Sequence, residues 1–330
     1  MSKWIVIISL ALFSLNCRQA NGKELTRVSM DSIADTVGFR ANGSLRLLAT
    51  RGFEFTISDG SKTQKVVGKG FDKKDIIKCK FSANCERIVA ITGPIRNLLF
   101  TSPLNISYKY HLSAPQGDRE TVVVFTDSLL QLDISQCQSV RNLLCREYQL
   151  TELDVTHNPD LEQLDCSENR LRTLDMSQNR NLQVLFCSKN QLKDIDVIHN
   201  QKLRELVCFD NENLSLDVSA NRNLEFLSCD GLLQELDVTN NIELRTLICR
   251  CKLTALDLSQ NKKLRKLLIS GNNFSAEELN AVLSIITMML RTRSLKCPIF
   301  PELKIVTVLF CAREVGRLRK MDPLMALENL

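Results

Sequence analysis

The chain has 330 residues, of which 44% are hydrophobic and 25% charged, and a formal net charge of +5. Those fractions exclude wholesale disorder. Lysines and arginines alternate with acids, and no RNP, helix-turn-helix or zinc-knuckle pattern appears, so nucleic acid is excluded as the expected partner.

Residues 1–22 read as an export signal, in which Lys3 supplies the positive start and Trp4 to Leu15 an apolar run without charge. A run of about 12 residues is shorter than the roughly 20 that a membrane-spanning helix needs. Two processing routes stay open. Ala20-Asn21-Gly22 is a small-x-small cleavage site, whereas Cys17 is a candidate lipid acceptor whose preceding Ser14-Leu15-Asn16 departs from the usual Leu-small-small pattern. A membrane is expected to be met only through that lipid.

Residues 23–128 hold short apolar runs, among them Phe53 to Ile57, Ile76 to Phe81 and Val122 to Phe125, broken by Gly, Asp and Pro. They are expected to be strands joined by turns, forming a β-rich N-terminal cap. Ile88 to Leu98 and Val122 to Leu132 look like degenerate entry coils. Such an end is a physical need, because a repeat array whose first full coil is bare exposes its apolar face to water.

Over residues 129–274 the sequence copies itself. Val140-Arg141-Asn142-Leu143-Leu144-Cys145 recurs as Leu161 to Cys166, Leu182 to Cys187, Leu203 to Cys208, Leu224 to Cys229 and Leu244 to Cys249, and Leu264 to Ile269 puts Ile269 in the cysteine place. The step is 21 residues and closes to 20 after Cys229. Between these runs stand Asp133, Asp154, Asp175, Asp196, Asp217, Asp237 and Asp257, most followed two residues on by Ser or Thr, and then Asn158, Asn179, Asn200, Asn221, Asn241 and Asn261. Leucines at this period predict a solenoid of the leucine-rich-repeat kind, a right-handed coil with a parallel β-sheet on one face. In Leu-x-x-Leu-x-Cys the cysteine lies two residues after a leucine, so strand alternation turns it inward. There it acts as a small apolar side chain in a ladder of free thiols. Of the 13 cysteines, Cys79 and Cys85 are the better disulfide candidates.

Ser275-Ala276-Glu277-Glu278 is a capping box that opens a helix over residues 275–290, with Leu279, Val282, Leu283 and Ile286 on one face. The basic segment 291–330 continues no repeat pattern and is left unassigned, although Ile305 to Phe310 is an apolar run of strand-like composition.

The 21-residue, cysteine-bearing repeat over about residues 129–290 resembles that of internalin J-like bacterial surface proteins, and similar repeats occur in exported proteins of the Bacteroides group. The resemblance implies the solenoid fold and a helix covering the last coil. Its commonest use implies adhesion to host or neighbouring cells. It fixes no ligand, because function sits in sites grafted on a fold.

The column between the second leucine and the cysteine holds Leu144, Asp165, Phe186, Val207, Ser228, Ile248 and Leu268. Alternation points it outward, where water favours polar residues, yet most of it is apolar. Arg204, Phe226 and Arg245 are expected around it. An apolar strip rimmed by charge is what a protein or glycoprotein partner requires. The competing reading is strand propensity, or cover by the N-terminal region or by another copy.

No catalytic constellation emerges. His111, His157 and His199 are isolated, and no H-E-x-x-H, G-x-S-x-G or P-loop pattern occurs. The aspartate column lacks the Gly-rich pattern of calcium-binding β-rolls and is read as a hydrogen-bonded ladder, so neither metal nor cofactor is expected. The sequence thus points to an exported, non-enzymatic protein-binding protein of the bacterial cell envelope. The alternatives are an envelope scaffold, or an enzyme with its site outside the repeats.

Overall fold

A computed structural model describes residues 36–41, 46–49, 51–58, 63–69, 76–78, 87–92, 95, 97–101, 121–125, 129, 131–212, 215–294 and 307–309. The signal segment, Cys17, Cys79, Cys85, Cys297 and Cys311 lie outside the described residues. Among those described, no helix is long and apolar enough to cross a membrane. The chain divides into two compact units, Met1–Asp160 and Leu161–Leu330.

The first unit contains strands β1 (Thr36–Ala41), β2 (Arg46–Ala49), β3 (Glu54–Ser58), β4 (Thr63–Val67), β5 (Ile77–Lys78), β6 (Arg87–Thr92), β7 (Asn97–Thr101), β8 (Thr121–Phe125), β9 (Gln131–Asp133) and β10 (Asn142–Leu144). The β-rich expectation for this region holds. An antiparallel sheet runs β4-β3-β6-β1-β9. The other sheet holds β7 parallel to both β8 and β10, with β2 antiparallel to β8 and β5.

Each run read as an entry coil supplies a strand to that sheet, but the two are not placed in chain order. β7, from the earlier run, lies directly against β10, and β8, from the later one, lies outside β7. β6 and β9, which also belong to those runs, pair in the other sheet. Local periodicity shows that a segment is a coil strand but not which neighbour it adopts.

The second unit is the regular solenoid. Its strands β11 (Gln163–Asp165), β12 (Val184–Phe186), β13 (Glu205–Val207), β14 (Phe226–Asp230), β15 (Thr246–Arg250) and β16 (Lys266–Leu268) pair in parallel, one per coil. Their central leucines, Leu164, Leu185, Leu206, Leu227, Leu247 and Leu267, are in register and fully or almost fully buried. The helix follows as α1 (Ala276–Ser294), running past the expected end. Ser275 caps it: Oγ accepts the Glu278 N–H at 3.1 Å, and the Ser275 carbonyl accepts from Leu279. Leu279, Val282 and Leu283 are buried, as their spacing predicts. Within the strand-like run Ile305 to Phe310 lies one more strand, β17 (Thr307–Leu309), parallel to β16.

Recurrent residues line the interior of the coils. The repeat cysteines Cys145, Cys166, Cys187, Cys208, Cys229 and Cys249 are free and buried, as expected. Asn200, Asn221, Asn241 and Asn261 are wholly buried, and each Nδ2 donates to two carbonyls of the preceding coil; for Asn221 these are Val197 and Asn200, at 3.0 and 2.9 Å. Only the donor half of these amides is used within the protein, since their Oδ1 atoms have no partner there.

A further asparagine ladder, three residues after the cysteines, escaped the sequence reading. Asn190 Nδ2 donates to the carbonyls of Cys166 and Cys187, while its Oδ1 accepts the Leu171 N–H; Asn211 does the same one coil later. The turn they stabilise places Glu168, Lys189 and Asp210 at φ of 57°, 54° and 55°. That is the left-handed region, which side chains usually avoid. The signal was in the alignment, as a recurrent Asn beside the more conspicuous cysteine.

The aspartates are turn residues. In every described coil of the column one Oδ1 accepts the N–H two residues on, at 2.8–3.0 Å, and this includes Asp196, whose neighbour Ile198 has no hydroxyl. Hydroxyls of Ser135, Thr156 and Thr239 donate to the same oxygens at 2.7 Å. The hydrogen-bonded reading of this column is therefore the observed one.

The candidate site on the sheet face

Alternation leaves two residues per strand facing outward, one on each side of the buried leucine. Parallel pairing aligns them into two columns. Gln163, Val184, Glu205, Phe226, Thr246 and Lys266 form one, and Asp165, Phe186, Val207, Ser228, Ile248 and Leu268 the other. Phe186 stands beside Val207 on the neighbouring strand, and Val184 lies on the same strand and face as Phe186. Phe186, Val207, Val184, Phe226 and Ile248 are all half-buried. An apolar side chain in that state has removed part of its surface from water and leaves the rest for a second body.

The structure narrows the predicted strip. Ser228 is only 6% exposed, because the larger Val207 and Ile248 stand in register on both sides of it. Leu268 is 9% exposed, and its strand is not the last of the sheet, since β17 pairs along it. Leu144 belongs to the first unit, where it packs with Ile76 against buried Leu99. The N-terminal region thus covers it in part, and it stays half-buried. Asp165 accepts the Ser167 N–H at 3.0 Å and so closes a local turn. Conversely, Val184 was not singled out from the sequence and joins the apolar face.

The rim cations are not independent charges. Arg204 donates through Nε and Nη2 to Glu225 Oε1 at 2.9 and 2.6 Å, and Arg245 Nε lies 3.0 Å from Glu225 Oε2. The Arg204 hydrogen bond holds the Glu225 carboxyl below its ordinary pKa and raises Arg204 in return. One column over, Lys263 pairs with Glu243. Gln183, Lys202, Arg204, Asn223, Glu225 and Glu243 line a shallow depression of about 400 Å³ beside the strand starts. Its floor offers paired charges and amides, a polar edge to the apolar columns.

Burial pushes the Cys187 and Cys208 thiols well above their ordinary pKa, consistent with inert packing residues. His157 is exposed, and its Nδ1 lies 3.2 Å from Thr156 Oγ1 and 3.6 Å from Asp154. His199 is likewise exposed, at a turn one coil pair further on.

No family profile matches the chain, and no curated protein does. Among solved structures, the functional domain of InlJ from Listeria monocytogenes, which includes a cysteine ladder, is 31% identical, with a TM-score of 0.39. That match covers 44% of this chain and 38% of the other. The L. monocytogenes internalin InlF is 18% identical over 59% of this chain and 57% of that one, with a TM-score of 0.45. A leucine-rich-repeat protein of Leptospira interrogans is 18% identical over 47% and 55%, with a TM-score of 0.35. The chain thus spans about two-fifths to under three-fifths of these proteins. It is similar to internalin-like leucine-rich-repeat proteins, one of which includes a cysteine ladder, and its own coils of parallel strands make it a leucine-rich-repeat solenoid.

Proposed function

We propose that this is an exported, non-enzymatic protein of the bacterial envelope that binds a protein or glycoprotein through the sheet face, in adhesion to host or neighbouring cells. The observation that carries the reading is the in-register pair Phe186 and Val207, half-exposed on a face where strand alternation would allow polar residues throughout. Val184 and Phe226 extend that face, and the Arg204–Glu225–Arg245 cluster edges it. Apolar contacts ringed by polar groups are the usual anatomy of a binding patch. The resemblance to internalin-like proteins supports the envelope setting, and the charge-free run after Lys3 supports export.

The test is capture of biotinylated surface proteins of host or neighbouring cells by the purified protein. Replacing Phe186 and Val207 by Asp together is expected to abolish capture while leaving the thermal unfolding midpoint within a few degrees. Undiminished capture by that variant rules out this face.

A further inference from the structure

Cys251 breaks the repeat. In the other coils the position two residues after the ladder residue is left-handed, occupied by Glu147, Glu168, Lys189, Asp210, Gly231 or Gly271. After Cys249 it is occupied by a cysteine that is buried and has no positive φ. The cause lies in the spacing. Where the step closes from 21 residues to 20, the coils beginning at Cys229 and Cys249 lose the ladder asparagine, and strand pairing continues through Cys229↔Cys249 and Asp230↔Arg250 instead of turning away. β14 and β15 consequently have five residues, where the other solenoid strands have three. Asn272 of the next coil then takes over, its Oδ1 accepting the N–H groups of Cys251 and Leu253 at 3.2 and 3.1 Å. Cys251 is thereby held inside.

The result is three thiols at one point. The Sγ atoms of Cys229, Cys249 and Cys251 lie within 4.8 Å of one another, with Cys249 and Cys251 at 3.2 Å, and all three residues are buried. Packing does not require this, because the solenoid elsewhere uses one thiol per coil. Among the described residues no other group of three or more His, Cys, Asp or Glu converges in this way.

We propose that Cys229, Cys249 and Cys251 form a binding site for a soft, thiophilic metal ion of the monovalent copper type. Thiolate sulfur selects copper(I) or zinc over hard cations. Zinc almost always takes four ligands in a structural site, whereas this cluster offers three and is shut off from water. A central ion about 2.3 Å from each sulfur would space three sulfurs about 4 Å apart, so the Cys249–Cys251 contact, at 3.2 Å, has to open by less than about 1 Å. On binding, the thiols that become ligands release their protons to solvent and the metal takes their place, with no change in sulfur oxidation state.

The experiment is anaerobic titration of the full-length, reduced protein with copper(I), in competition with bathocuproine disulfonate. Wild type is expected to withhold one ion from the competitor that Cys251→Ser releases. Cys187→Ala, which removes a ladder thiol outside the cluster, should retain it. Circular dichroism establishes that each variant is folded. The proposal is overturned if wild type withholds no copper or if Cys251→Ser withholds as much. Should Cys251→Ser fail to fold, X-ray absorption of copper-loaded wild type decides. A first shell of sulfur alone upholds the site, and nitrogen or oxygen neighbours overturn it.

Discussion

Asn221 donates from Nδ2 to the main-chain carbonyl of Asn200, one coil earlier, at 2.9 Å. Asn241 repeats the bond to Asn221, and Asn261 to Asn241, so a main-chain oxygen at each turn is satisfied by the side chain of the next. Water cannot replace this donor in a fully buried site. Asn221→Ala is therefore expected to destabilise the fold by about 1–3 kcal/mol, the range for stranding a buried polar group. Urea unfolding would read it as a lowered midpoint. An unchanged midpoint would mean that the ladder is incidental.

Cysteine in the thiol ladder is expected to tolerate alanine better than serine. At Cys187 the alanine change removes one sulfur from a dry interior, whereas serine buries a hydroxyl among leucines. An added penalty of roughly 1–3 kcal/mol is expected for Cys187→Ser over Cys187→Ala, from unpaired burial of the hydroxyl. Paired denaturation curves of the two variants give the comparison, and equal stability would contradict an apolar setting.

The aspartate column makes the fold acid-sensitive. Ser219 and Thr239, through hydroxyl and N–H, hold the Asp217 and Asp237 carboxyls below the ordinary 3.8, as the Ser177 N–H and hydroxyl do for Asp175. At Asp154, burial pushes upward but the Thr156 bonds outweigh it. A carboxyl with a folded pKa below its unfolded one contributes stability that is present above the unfolded value and lost as pH falls through the folded value. Stability should therefore decline below about pH 4, the ordinary aspartate range. Asp217→Asn should flatten that decline slightly, by roughly 0.3–0.5 kcal/mol given its exposure. Melting of both proteins between pH 2 and 7 tests the slope.

The rim cluster should matter more to contact than to stability. Glu225→Ala leaves Arg204 and Arg245 without their shared acceptor, yet exposed ion pairs contribute only about 0.2–1 kcal/mol. A small drop in melting temperature that vanishes at high salt is expected. A large, salt-independent loss would show that Glu225 has a role inside the fold.

How much of this could be read from the residues differs by element. Coil register, inward thiols, asparagine column and the Ser275 cap all rest on spacing within one or two turns of chain, and each is where the period predicts. The interposition of β7 between β8 and β10 depends on pairing between segments far apart in sequence, which no period encodes. The site fared the same way. Phe186 and Val207 face outward as alternation demands, whereas the burial of Ser228 comes from the bulk of its cross-strand neighbours. Leu144 packs against Leu99, a residue brought there by the fold of the first unit. The Cys251 anomaly was in plain view as a second cysteine after Cys249, but only the loss of one residue from the coil turns it inward.

β17 brings three residues of the C-terminal segment alongside β16. A parallel strand with bare amides and carbonyls is a template on which another polypeptide can grow, and β17 acts as a terminator by pairing along the edge that β16 would otherwise leave bare. Cutting the chain before Thr307 would strip that terminator, leave β16 open to recruitment, and should produce concentration-dependent clumping, even though every regular coil survives the cut.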